Sequence, residues 1–233
     1  MSSGFETRRE ATWPQTAISG ARAEFLARTY SHLFAAMAGF TLFEVFLFRS
    51  GLADGIAQAL LGVSWLFVLG GFVVVSWFAS RVAARADNTA AQYAALAGFV
   101  LAEAIIFVPL LYVANAYAPG AISSAALVTL IGFAGLTAVV FVTRKDFSFL
   151  RGIVGFGMVI ALVAIVAGAI FGFQLGTWFS VGMVGLAGAA ILHDTSHIMK
   201  TFPEDRYVAA SLQLFASVAL MFWYVLRLFM SRD

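Results

Sequence analysis

The sequence predicts an all-α fold: a polytopic membrane protein, a bundle of seven transmembrane helices with its N-terminus cytoplasmic and its C-terminus outside. Three observations carry this. Hydrophobic residues make up 62% of the 233 positions and charged residues 11%, whereas a soluble domain is about half apolar and about one quarter charged. The apolar residues gather into seven runs, each close to the ~20 residues that cross ~30 Å of hydrocarbon as a helix. Arginine and lysine alternate between the connecting segments. Helices are required because no water satisfies backbone groups inside lipid.

Residues 1–28 are polar and of mixed charge, and read as a flexible cytoplasmic tail; residues 29–233 are the transmembrane domain. The stretch TRRE has a twin-arginine look, but no apolar run follows at signal-peptide distance. The spans are 30–48, 58–79, 92–114, 123–142, 153–173, 176–194 and 209–229. Only FQLGT separates the fifth from the sixth, which predicts a tight helical hairpin, since about 40 residues is too long for one crossing.

With the N-terminus inside, the inner segments hold eleven cations: Arg8, Arg9, Arg22, Arg28, Arg81, Arg85, Arg144, Lys145, Arg151, Lys200 and Arg206. The outer segments hold three: Arg49, Arg227 and Arg232. This asymmetry is the positive-inside signal, and an odd number of spans follows from it. Trp77, Tyr112, Tyr117, Trp178 and Tyr224 fall near predicted interfaces. Gly168 with Gly172, and the stripe of Gly182, Gly185 and Gly188, suggest close helix packing.

Composition also excludes functions. With no cysteine there is no disulfide, thiolate metal site or cysteine nucleophile. A net charge of +2 is too small to imply a nucleic-acid partner. The partner that the composition demands is the lipid bilayer.

Ionisable groups inside spans are costly, so each is a functional candidate. Glu44 lies near the outer end of the first span, close to Arg49, and reads as a snorkelling interfacial residue. Glu103 lies mid-span, six residues before Pro109, and must be protonated, paired or facing water. Asp194 closes the sixth span. Gln213 and Ser217, at i and i+4, share one face of the seventh, and the hairpin between the two spans can bring that face to Asp194. Together Asp194, Ser217, Gln213 and Glu103 form the candidate polar latch or pore.

The same region reads His193-Asp194-x-x-His197, which puts two histidines on one helical face, as zinc ligation needs. His32 starts the first span at the same membrane level, so a three-histidine site is conceivable. Against it, aspartate is one methylene shorter than the glutamate of the protease motif, and no further ligand motif follows. His193, His197 and His32 are therefore read as interfacial or hydrogen-bonding residues, with no metal, no cofactor and no enzymatic centre.

Three motifs carry a family resemblance. ILHDTSHIM (191–199) resembles the sixth-span motif of the Bax-inhibitor family of seven-helix membrane proteins. TRKDFSFLRG (143–152), with Arg144, Lys145 and Asp146, resembles the loop before that family's fifth span. YVAASLQLFASVALMFWYVLRLFMSRD (207–233) resembles its last helix and terminus. The loop and the closing SRD are similar to the bacterial YccA-like branch.

The resemblance implies a multi-pass protein of the bacterial inner membrane that is a substrate and modulator of an FtsH-type membrane AAA protease, with the tail as the handle for the unfoldase. The wider family implies an alternative, a pH-sensitive calcium leak gated by two aspartates that share a proton. Carried over by position, the first aspartate is Asp194 and the second falls at Ser217. One acid of the pair is therefore missing, and two close carboxylates are what make such a proton switch. The expectation is a protease modulator, with a cation leak through calcium or protons as the alternative.

Overall fold

The computed structural model describes residues 20–85 and 88–231, and among these every regular element is a helix. In chain order they are α1 (Gly20–Ser50), α2 (Leu52–Leu61), α3 (Trp65–Arg85), α4 (Thr89–Tyr117), α5 (Ala121–Thr143), α6 (Leu150–Phe171), α7 (Thr177–Lys200) and α8 (Tyr207–Met230). Six of them, α1, α3, α4, α5, α6 and α8, are long and apolar enough to cross a membrane. The sixth expected span corresponds to α7, which is as long at 24 residues. Its last two turns carry His193, Asp194, His197 and Lys200, and these lower its apolarity. Large side chains such as Phe67, Phe156, Ile131 and Val163 stand exposed along the outer helices. That pattern suits a chain whose solvent is lipid.

α8 is the hub. It packs against α1, α3, α4, α5 and α7, and buries residues from Val208 to Leu226. α6 is peripheral, packing on α7 and α3 and burying only Ala161 and Gly168. Aromatic rings knit the centre: Phe107 of α4 meets Trp223 of α8 edge-on at 4.9 Å and Phe40 of α1 at 5.2 Å. Offset and edge-to-face pairs of this kind add packing energy that lipid tails cannot match.

Several boundaries differ from expectation. α1 begins at Gly20, so residues 20–28, expected in the tail, are its first turns, with Phe25 and Leu26 buried. Residues 1–19 lie outside the described part of the chain. The expected second span, 58–79, is divided between two helices. Gly51, at φ 77°, turns the chain into α2, which ends at the Gly62 cap. Ten residues rise only about 15 Å, half a bilayer core. α2 therefore lies against α1 and α4 through Ala53 and Ala57, and α3 starts afresh at Trp65. The short apolar run hid a break that only the backbone reveals.

The hairpin between α6 and α7 is present, but its glycines act otherwise than expected. Gly172 is the left-handed C-cap of α6, at φ 75°, with its amide on the Gly168 carbonyl at 2.9 Å. It stops the helix and does not pack against another. In the stripe on α7, only Gly188 meets a neighbouring helix, at Leu136 and Met221; Gly182 and Gly185 face open space. Tyr224, expected at an interface, is buried in edge-on contact with Phe179. Trp77, Tyr117 and Trp178 are exposed.

Candidate polar latch between α7 and α8

The short turn 201–206 brings α8 back along the last turns of α7, and this antiparallel pair sets the site. The Asp194 side chain projects from α7 into the interface and is 6% exposed. Gln213 Nε2 donates to Asp194 Oδ1 at 2.6 Å, and Ser217 Oγ donates to Oδ2 at 2.6 Å. Residues 213 and 217 are one helical turn apart, so each reaches one oxygen of the same carboxylate. His193 Nδ1, 3.1 Å from Oδ1, adds a third donor in the tautomer that carries its proton there. A buried carboxylate surrounded by donors is what satisfaction of buried charge demands.

The sequence-predicted latch is thus three residues, Asp194, Gln213 and Ser217. Glu103 is buried on α4 but is not among the hydrogen-bond partners of Asp194. Glu44, expected as a snorkelling residue beside Arg49, is instead buried at 6% exposure, with neither carboxylate oxygen hydrogen-bonded among the described residues. It faces inward because it lies on the same side of α1 as Met37, Thr41 and Phe48, which line one cavity with it.

The histidines divide. His193 and His197 stack with ring centroids 5.8 Å apart, and His197 rests edge-on against Phe202. His32 uses both nitrogens elsewhere: Nδ1 lies 2.7 Å from the Arg28 carbonyl and Nε2 lies 2.7 Å from the Tyr93 hydroxyl. Tyr93 in turn reaches the Tyr207 hydroxyl at 3.4 Å, joining α1, α4 and α8. Among the described residues no group of three or more histidine, aspartate or glutamate side chains is placed to hold a metal ion.

The loop motif meets the latch through Ser196, a residue that sequence reasoning passed over. Its buried hydroxyl donates to the Lys145 carbonyl at 3.4 Å and accepts from the Phe147 amide at 3.2 Å. Arg144 ends α5 in the left-handed region, at φ 50°, and so turns the chain towards α7. Asp146 accepts the Ser148 amide at 2.9 Å, closing an Asx turn. That hydrogen bond is the main reason its carboxyl sits below the ordinary range, helped by the Ser148 hydroxyl, Lys200 and His193.

Arg22 was also missed. Its guanidinium donates to the Met199 carbonyl at 3.0 Å and to the Phe202 carbonyl, and it lies 3.7 Å from Glu204. A cation on the last carbonyls of α7 answers both the unsatisfied acceptors and the helix dipole. Phe25, under the same guanidinium, stacks on Phe202. The entry to α1, the α5–α6 loop and the α7–α8 turn therefore meet at one end of the bundle, around Asp194.

A family model described as "Inhibitor of apoptosis-promoting Bax1" matches residues 22–233. Among curated proteins, an uncharacterized protein of Pseudomonas aeruginosa is 37% identical over 111 residues, covering 46% of this chain and 49% of that protein. The matched part spans about half the length of that relative.

Proposed function

The chain belongs to the Bax inhibitor family, and from that premise we propose that it is a regulator of the bacterial inner membrane that acts by engaging an FtsH-type membrane AAA protease. The observation that carries this reading is the partner of Asp194. Ser217 offers a hydroxyl where a proton-sharing switch needs a second carboxylate. With Gln213 and His193 as further donors, the site holds one acid in a satisfied network. Such a network fastens α7 to α8 without the coupled titration that opens a gate. The chain threads the membrane seven times, α2 lying aside, with the N-terminus inside and the C-terminus outside.

The tail supplies the handle. Residues 1–19 precede Arg22, which is bonded to Met199 at the end of α7, and Phe25, which stacks on Phe202 in the turn that follows. A pull on the tail is transmitted first to the start of α1, whose Arg22 is bonded to Met199 and Phe202. No catalytic step is assigned to the site. Crosslinked co-purification from native membranes tests the reading, together with turnover of full-length chain and a chain lacking residues 2–19, in cells with and without the protease. The protease is expected in the crosslinked fraction, and the deletion is expected to slow turnover. No crosslink and unchanged turnover overturn the proposal.

A second reading is a pH-dependent cation leak for calcium or protons along Asp194, Ser217, Gln213 and Glu103. The burial of one acid on α7 and another on α4 favours it. Purified protein in liposomes loaded with a calcium indicator decides between the two. Flux that vanishes in Asp194→Asn supports the leak; equal flux in both removes Asp194 as its gate.

A further inference from the structure

A cavity of about 360 Å³ lies between α1, α4, α5 and α8. Its volume falls within the range of small-molecule sites. The backbones of α1 and α5 do not pack on each other. Tyr30 bridges that gap near one end through Phe133 and Phe141, while the half around Glu44 stays open. Val45 and Leu130 on its rim are exposed, so the opening faces the bilayer sideways. Phe40, Phe48, Phe215 and Phe222 are the aromatic part of its apolar wall.

Two polar groups inside this wall lack partners. Both carboxylate oxygens of Glu44 and the hydroxyl of Thr129 are buried with no hydrogen bond among the described residues. Thr41, beside them, is already committed to the Met37 carbonyl at 2.9 Å. An acid enclosed by phenylalanines is among the most expensive arrangements a bundle can hold. With the Thr41 hydroxyl and the Asn115 amide the lining offers one carboxylate and three neutral oxygens, a single negative charge and fewer oxygens than the roughly six to eight that a calcium ion takes. They suit a cation that brings its own apolar body.

We propose that this cavity binds an organic ammonium amphiphile entering from the lipid, its charged head on Glu44 and Thr129 and its chain along the phenylalanine wall. The carboxylate provides the counter-charge and the aromatic faces attract the cation. The headgroup takes the hydrogen bonds that Glu44 and Thr129 lack, and the chain displaces lipid from a surface of similar polarity. Affinity therefore rests on the head, and selectivity is for charge over chain. The proposal does not rest on the regulatory reading: Glu44 and Thr129 stand on α1 and α5, whereas the latch joins α7 to α8.

The test uses the full chain in phosphatidylcholine nanodiscs, with radiolabelled octylamine as the probe and empty nanodiscs to measure plain partitioning. Saturable binding of one amine per chain is expected above partitioning. It should weaken roughly ten-fold or more in Glu44→Gln, the size of effect expected for losing a desolvated charge partner. Ala126→Phe, which fills the cavity but keeps Glu44, should abolish it, and octanol should not compete at matched concentrations. Thermal melts confirm that each variant is folded; should Glu44→Gln fail to fold, Thr129→Val and Ala126→Phe carry the comparison. No saturable component, equal binding in the folded cavity variants, or displacement by octanol as readily as by amine overturns the proposal.

Discussion

The hydroxyl of Ser217 on α8 sits 2.6 Å from the Asp194 carboxylate on α7, both side chains being withdrawn from solvent. Ser217→Ala removes one donor and leaves Oδ2 unsatisfied. Hydrogen bonds to buried charged groups contribute about 1.5–3 kcal/mol. A loss of that size is expected in detergent unfolding at neutral pH. Ser217→Thr keeps the donor and should recover most of it. A Ser217→Ala variant as stable as the parent removes the latch from the account of stability.

Ser217→Asp places a second carboxyl against the first. Two acids at that distance cannot both ionise readily, so the pair takes up a shared proton in the folded state. A proton held by the folded pair and not by the unfolded chain gives stability that is present at low pH and lost as pH rises. The variant should therefore melt lower as pH rises, more steeply than the parent. It should also show calcium flux in indicator-loaded liposomes above that of the parent.

Arg22 holds α1 to Met199 in the last turn of α7 and to Phe202 in the turn that follows, through their carbonyls. Lysine cannot reproduce the fork of a guanidinium. Arg22→Lys is expected to cost about 1 kcal/mol and Arg22→Ala about 2 kcal/mol, as for lost charged hydrogen bonds at a helix terminus. Hydrogen exchange should rise first over residues 20–28. Uniform exchange changes across the bundle point instead to a global loss of packing.

Gly157 of α6 receives the side chain of Leu186 from α7. A Cβ there would stand 2.6 Å from Leu186 Cδ1. Gly157→Ala is expected to be close to neutral, overpacking against a Leu186 methyl that can shift being offset by the roughly 0.5–1 kcal/mol that alanine gains over glycine in a helix. Combined with Leu186→Ala the clash disappears, so the double variant should be more stable than the sum of its singles by at least ~0.5 kcal/mol. Additive effects place the two residues out of contact.

Asp146 titrates below the ordinary carboxylate range because the Ser148 amide and hydroxyl hold its charged form. A depressed acid pKa gives stability that is present above the unfolded value, about 3.9, and lost as pH falls through the folded one. Carbon-detected NMR on selectively labelled protein should show the low midpoint. Ser148→Ala should raise it part of the way, and the loop's protection over 145–148 should fade only in acid. A midpoint at the ordinary value in the parent excludes the Asx turn as its cause.

The latch was legible because helical spacing puts 213 and 217 on one face, and the turn at 201–206 is too short to send α8 anywhere but back along α7. Glu103 was grouped with it only because it is a mid-span acid, and periodicity does not say which neighbour a face meets. Glu44 was misplaced for a related reason. Arg49 is near in sequence, but the helix turns Glu44 into the bundle and leaves the two apart. Ser196 and Arg22 gave no signal: a serine among hydroxyl-bearing neighbours and an arginine in a polar lead-in look like surface, and each acquires its partner from a segment dozens of residues away or more.

Alone, the amino-acid order determined the solvent, the helical class, most of the long helices and the segregation of positive charge, because each depends on local apolar length and on charge near its ends. Tertiary structure alone decided where α2 breaks from α3, which acid is satisfied and which is stranded, and what closes the end of α7. Those outcomes depend on which helix lies beside which, and identical stripes on a helix permit several neighbours until close packing selects one.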